Sequence, residues 1–212
     1  MKVEIDQQDL EKLKFTLFGV KNAVPHVIKR SVNETIKSTI SFSAKEIASH
    51  YNLTQTRINK DFTPNTQKAT FAKPSGAVIA KGKPVSLTTF QRTRQVAKGV
   101  SVQIKKDRAR WVWRHAFIRV VKNARQAWYR PLPRNVSRSD RLYKVWKRSD
   151  KYGVLPTKYR YGKGPKLYRL TGPRIEDEYG KARTYNKVLV HSQNRFNTIL
   201  GQETSFELSK LQ

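Results

Sequence analysis

Positive charge sits so unevenly along this sequence that it decides which stretches can pack. Residues 65–171 hold 28 Lys and Arg against three carboxylates, Asp107, Asp140 and Asp150, a local net charge of +25. Residues 1–64 and 172–212 carry only +3 and +1. Near-neutral ends with apolar periodicity can pack against each other or against copies of themselves, whereas the middle is expected to resist dense packing without counter-charge. Two jobs follow: assembly at the ends and an anionic contact in the middle. The total of +29 on 212 residues points the same way, because a compact monomer at that charge repels itself unless a polyanion or acidic neighbours neutralise it. A merely solubilising surface seldom needs this much.

The chain is long enough to bury a core. At 37% hydrophobic residues and a mean hydropathy of -0.70 it is polar, yet nine Phe, nine Tyr and four Trp are too many aromatics for a disordered tail. It contains no cysteine, which removes disulfides, thiolate zinc sites and thiol nucleophiles, and fits assembly in a reducing cytoplasm. The first 18 residues lack the pattern of a signal peptide, and no apolar run reaches the roughly 18 residues of a membrane span, so neither export by such a signal nor membrane insertion is expected.

Leu10, Leu13 and Leu17, after the capping residue Asp6 and before Gly19, predict a short amphipathic helix. Val24, Val27, Ile28, Val32, Ile36, Ile40, Ala44, Ile47 and Ala48 follow a mainly i, i+4 path that predicts a long helix over 24–51, with Pro25 in its first turn and an interruption allowed around 41–43. Asn52 or Thr54 caps a brief helix through Ile58 to about Asp61, and Pro64 ends the helical region. Residues 42–62 also fit a helix-turn-helix exposing Thr56, Arg57, Asn59 and Lys60, although helix pairs are commoner as packing units.

Beyond Thr66 the pattern turns to strands at 69–72, 77–80, 100–104, 111–113, 116–121 and 126–129, with a hairpin near residue 123. From 131 to 165 periodicity fades into an extended basic arm, with one or two helical turns possible around 139–147. A last strand at 168–170 precedes a C-terminal helix starting at Pro173 and carrying Ile175, Tyr179, Tyr185, Val188, Leu189, Phe196, Ile199 and Leu200. The fold class expected is α+β: an N-terminal helical region, a small antiparallel β-sheet, a C-terminal helix and an extended basic arm. The partition runs 1–64 (helical assembly), 65–130 (basic sheet), 131–166 (arm or insertion) and 167–212 (last strand and helix), within a single domain.

The basic middle interleaves cations with aromatics, as in residues 110–115 and 158–163, and such pairs neutralise phosphates while presenting faces that stack on bases or guanidinium groups. Trp111 and Trp113 share one face of a strand, which favours burial over base stacking. The 158–163 stretch, without a core face, suits either a phosphate contact or an acidic neighbouring subunit. Enzyme chemistry finds little support. His26, His50, His115 and His191 show no metal-ligand spacing and read as packing or surface residues, and there is no phosphate-binding glycine loop or nucleophile elbow. The cluster Glu176, Asp177 and Glu178 is better explained by a helix N-terminus than by a metal-dependent nuclease. No catalytic residue, metal or cofactor is expected.

The order of several pieces carries a resemblance: Ala-Val-Pro at 23–25, Asn-Glu-Thr-Ile at 33–36, Ser-Ala-Lys-Glu-Ile-Ala at 43–48, Leu-Thr-Gln-Thr-Arg-Ile-Asn-Lys-Asp-Phe at 53–62, His-Ala-Phe-Ile at 115–118 and Gly-Pro-Arg-Ile at 172–175. In this order the chain resembles the minor tail protein Z family of tailed phages, with the 131–165 stretch expanded. The resemblance implies a virion protein assembled in the host cytoplasm: a tail-completion or neck component forming a ring, with a hexamer expected, at the head-proximal end of the tail. Its implied neighbours are the tail terminator and other connector proteins, with double-stranded DNA in the channel. The rival reading is a freestanding basic nucleic-acid-binding module.

The residues expected to meet DNA or an acidic partner are Arg108, Arg110, Arg114, Arg125, Arg130, Lys144, Lys147, Lys158, Arg160, Lys163, Lys166 and Arg169. Those expected at subunit interfaces are Leu13, Leu17, Ile36, Ile40, Ile47, Leu189 and Phe196.

Overall fold

The computed structural model describes residues 1–3, 7–17, 23–121, 123–129, 155–159 and 167–210. In chain order these form strand β1 (Lys2–Val3), helices α1 (Gln7–Thr16), α2 (Ala23–His50) and α3 (Gln55–Phe62), a 3-10 turn at Thr63–Asn65, and strand β2 (Gly76–Ala77). A second 3-10 turn at Leu87–Thr89 precedes β3 (Arg94–Val96), β4 (Gly99–Val102), β5 (Trp111–Arg114), β6 (Ala116–Val121), β7 (Ala124–Tyr129), β8 (Leu155–Tyr159) and β9 (Leu167–Thr171). Helices α4 (Ile175–Tyr179) and α5 (Ala182–Ser209) close the chain. The class is α+β, as the periodicities predict.

The chain divides into two compact units: unit 1 is Met1–Glu46, Asn59–Lys81 and Tyr179–Gln212, and unit 2 is Ile47–Ile58 and Gly82–Glu178. The division is discontinuous because the C-terminal helix packs back on the N-terminal one. In unit 1, α2 and α5 lie antiparallel. Lys187 is 2.6 Å from Glu46, His191 stacks on Phe42 with ring centroids 4.0 Å apart, and Arg30 reaches Glu207 at 3.0 Å. Along α2 the buried positions include Val27, Ile28, Val32, Ile36 and Ala44, and also Ser31, Thr35, Thr39 and Ser43. The Thr35 hydroxyl donates to the Ser31 carbonyl (2.7 Å) and that of Ser43 to the Thr39 carbonyl (2.6 Å), so these two are satisfied within their own helix, while the hydroxyls of Ser31 and Thr39 are buried with no hydrogen-bond partner among the described residues. The helix therefore runs unbroken through 41–43.

Three local expectations change. Residues 69–72 form no strand: the Asn33 side-chain amide takes both the Ala69 N–H (2.9 Å) and its carbonyl (3.1 Å), doing the work of a neighbouring strand. The strand expected at 77–80 shortens to Gly76–Ala77, paired with β1. The C-terminal helix is two helices, broken after Tyr179, and the Lys181 carbonyl accepts the N–H groups of Thr184 and Tyr185 to start the second.

Unit 2 contains two antiparallel sheets, ordered β3-β4-β5 and β6-β7-β9-β8. The β6–β7 hairpin turns where expected: Val121 pairs with Ala124, and Asn123 takes φ 60°, a conformation asparagine tolerates. Val85, Leu87, Phe90, Val100, Trp113, Ala127 and Leu170 are buried, so the basic middle does close around a core. The charge was expected to make the middle resist dense packing without counter-charge; here Val100, Val102 and Trp113 share a buried face of β4 and β5, and Arg114 takes the opposite, exposed one. Of the basic arm expected over 131–166, residues 155–159 form the edge strand β8; the rest of the arm, including the turns considered at 139–147, lies outside the described residues.

Candidate polyanion-binding surface

On β3-β4-β5, alternation assigns each residue to a face. Val100, Val102 and Trp113 point one way and are buried. The register pairs Arg94 with Ser101 and Ser101 with Val112, and pairs Gly99 with Arg114, so Arg94, Ser101, Val112 and Arg114 share the opposite face. Arg110 continues this parity. Its Nη1 donates to the Arg92 carbonyl (2.9 Å) and the Ser101 hydroxyl (3.3 Å), which holds the guanidinium across the sheet and leaves Ser101 only 3% exposed. The result is an outer sheet face carrying Arg94, Arg110 and Arg114 with no carboxylate on its strands.

At the corner where β5 passes to β6, His115 adopts φ 63° and its N–H bonds the Lys98 carbonyl (3.3 Å). A cleft of about 510 Å³ opens there, lined by Gln95, Lys98, Arg114, His115 and Phe117, and it contains no acidic side chain. A groove of about 410 Å³ between α2 and α5 contrasts with it, because Glu34 and Glu203 there offset Lys37 and Arg195. Charge bias therefore singles out the unit 2 cleft as a place for an anion. Gln95 also ties the two sheets together: its side-chain amide donates to the carbonyls of Gly99 (2.9 Å) and Ala116 (3.4 Å) and accepts from the Ile118 N–H (2.8 Å).

Among the residues expected to bind, Arg110 and Arg114 come together on the outer face. Arg108 is exposed on the turn before β5, and Arg125 is exposed on the β6–β7 hairpin. Lys158 lies on β8 in register with Tyr168; Arg169 lies on β9, half-buried and in register with Trp128. Arg130, Lys144, Lys147, Arg160, Lys163 and Lys166 lie outside the described residues. Arg94, Lys98 and Arg119 belong to the surface but escaped the sequence reading. Strand parity would have found Arg119, which pairs with Gln126 on the face opposite the buried Ala127.

Leu13, Leu17, Ile36, Ile47 and Phe196, expected at subunit interfaces, are buried within the chain itself, and Ile40 and Leu189 are half-buried. Periodicity marks an apolar face without saying whether the same chain or a copy covers it. Large apolar side chains that do remain exposed include Phe15 (86%), Phe71, Val190 and Phe206. Trp113 is buried and Trp111 half-buried.

Glu176 and Asp177 are exposed in the first turn of α4, while Glu178 is buried. Among the described residues no three His, Asp or Glu side chains gather as a metal site, and no helix is long and apolar enough to cross a membrane. His26 packs edge-on against Phe71. His191 contacts the Ser38 hydroxyl at 3.2 Å, and burial, with Arg195 adding to it, holds its pKa below the ordinary value. No family model, curated protein or solved structure matches the chain.

Proposed function

We propose that this chain is a structural, non-enzymatic connector whose β unit faces a polyanion, and that it serves as a tail-completion protein: a ring, hexameric in our reading, at the head-proximal end of a phage tail. One observation supports the anionic contact above all others. Unit 2 holds 27 basic and six acidic residues, a net charge of +21, while unit 1 holds 17 and nine, a net charge of +8. Support for the place in the tail is the order of sequence pieces in which the chain resembles the minor tail protein Z family. In a closed ring the charge of each copy adds to one field, which suits lining a DNA path or clamping acidic tail-terminator and connector neighbours. The chain would then be a virion component assembled in the host cytoplasm. This role calls for no catalytic residue, metal or cofactor.

The test is sedimentation of the purified chain across a salt series, alone, with a short DNA duplex, and with the tail terminator of the same phage. A ring, or a co-complex with the terminator, is the expected result. A monomer that ignores the terminator and binds nucleic acid with steep salt dependence would instead establish the freestanding binding module.

A further inference from the structure

The β6–β7 hairpin is fixed at its root and bare at its tip. Its two strands pair over six rungs, from Ala116 opposite Tyr129 to Val121 opposite Ala124. At the root, β9 pairs with Ala127, Trp128 and Tyr129 of β7, and the Gln95 amide occupies the backbone of Ala116 and Ile118 on the far edge of β6. Thr88 adds a hydroxyl bond to the Arg125 carbonyl (2.6 Å). Beyond these contacts, residues 119–121 and 124–126 pair with each other and, among the described residues, with no third strand. Arg119, Val120, Asn123, Ala124 and Arg125 are exposed, Val120 by 63%.

Register settles how the tip presents its charge. Val120 pairs with Arg125 on one face of the ribbon, and Arg119 pairs with Gln126 on the other. Arginine therefore stands on both faces. From Asp107 to Asp140 the sequence has no intervening carboxylate, and among the described residues neither Arg119 nor Arg125 makes an ion pair.

We propose that this ribbon enters the major groove of double-stranded DNA, so that the polyanion met by unit 2 is a duplex; the inference rests on the anionic contact proposed above. A two-stranded ribbon matches the groove's width of about 12 Å, and Arg and Gln are side chains that bond guanine and adenine edges there. A flat acidic protein surface would meet one face of the ribbon and strand the arginine on the other, whereas a groove offers phosphates on both walls. The rigid root suits insertion, because little conformational freedom is left to lose on binding.

The experiment follows duplex binding by fluorescence anisotropy across salt, together with dimethyl sulfate protection of guanine N7, for the native chain, an R119A/R125A variant and an R94A/R114A variant. The inference expects N7 protection in the native chain. In R119A/R125A that protection disappears, affinity falls about tenfold or more, and the salt slope drops by about two. The R94A/R114A change weakens affinity but leaves protection in place. Duplex binding without N7 protection, or unchanged in R119A/R125A, overturns groove insertion and leaves the anionic contact standing. Capture of polyglutamate with no affinity for duplex assigns the ribbon to an acidic protein and also overturns insertion. Failure to bind either polyanion overturns both.

Discussion

Gly99 opens β4 at φ +146°, and a Cβ built on it falls inside the Trp113 carbonyl oxygen, with that carbonyl carbon at 2.7 Å and Arg114 Cα at 3.0 Å. All three obstacles are backbone, so Gly99→Ala can be accommodated only by parting β4 from β5. The backbone conformation alone costs a side-chain-bearing residue about 1–3 kcal/mol. Parting the strands also loosens the Gly99–Arg114 and Val100–Trp113 rungs and lets water reach the buried Trp113. A total of about 3–5 kcal/mol is expected, or a loss of roughly 10 °C or more in Tm. The four tryptophans, Trp111, Trp113, Trp128 and Trp146, all fall in unit 2, so tryptophan fluorescence follows that unit alone. Far-UV circular dichroism is weighted toward the long helices of unit 1. Gly201→Ala is the matched control: it sits inside α5 with nothing within 4 Å of the added carbon, so the same substitution should stabilise by about 0.5–1 kcal/mol. Surviving Gly99→Ala protein should bind polyanions more weakly, since the β4–β5 register sets Arg110 over Ser101. A fluorescence melt of Gly99→Ala within about 2 °C of the native one would refute the close-approach argument, as would a destabilised Gly201→Ala.

Two further predictions concern unit 1. Glu207 accepts from Lys210 Nζ (2.8 Å) and Arg30 Nη1 (3.0 Å); the Lys210 hydrogen bond and the two positive charges hold its pKa below the ordinary value despite burial, which acts the other way. Its contribution is therefore present above the ordinary carboxylate range and is lost as pH falls through the lowered value. Because both cations are almost half exposed, Glu207→Gln should cost only about 1 kcal/mol at neutral pH, with the difference closing in acid, as read by urea unfolding at both pH values. Asn33→Ala removes both hydrogen bonds to the buried Ala69 backbone and should destabilise by about 1–3 kcal/mol; hydrogen exchange should show faster loss of the Ala69 amide proton, and an unchanged rate there would count against the strand-like role of Asn33.

The helices were legible because one side of each is apolar at helical spacing, and α1, α2 and α3 begin and end close to where that spacing does. The buried hydroxyls of α2 were not. Serine and threonine read as polar at 31, 35, 39 and 43, yet all four are buried: Thr35 and Ser43 bond carbonyls one turn back, while the hydroxyls of Ser31 and Thr39 are buried without a hydrogen-bond partner among the described residues. The segment at 69–72 was misread for a related reason: its apolar residues signal burial, but a single asparagine supplies the backbone partners a strand would have needed. Arg110 and Arg114 were found because their strand is flanked by large aromatics. Arg94 was missed because β3 has only three residues, too few to display a period of two.

The charge itself carried more information about place than about packing. A run of cations this dense suggested a segment that resists dense packing without counter-charge, yet Val100, Val102, Trp113, Ala127 and Leu170 within it are buried. The cations end up on an outer sheet face, around a cleft and along a bare ribbon, where no internal partner neutralises Arg94, Arg114, Arg119 or Arg125 among the described residues. What folding leaves unneutralised on the surface is available to a partner, and an anion bound there adds to stability by mass action.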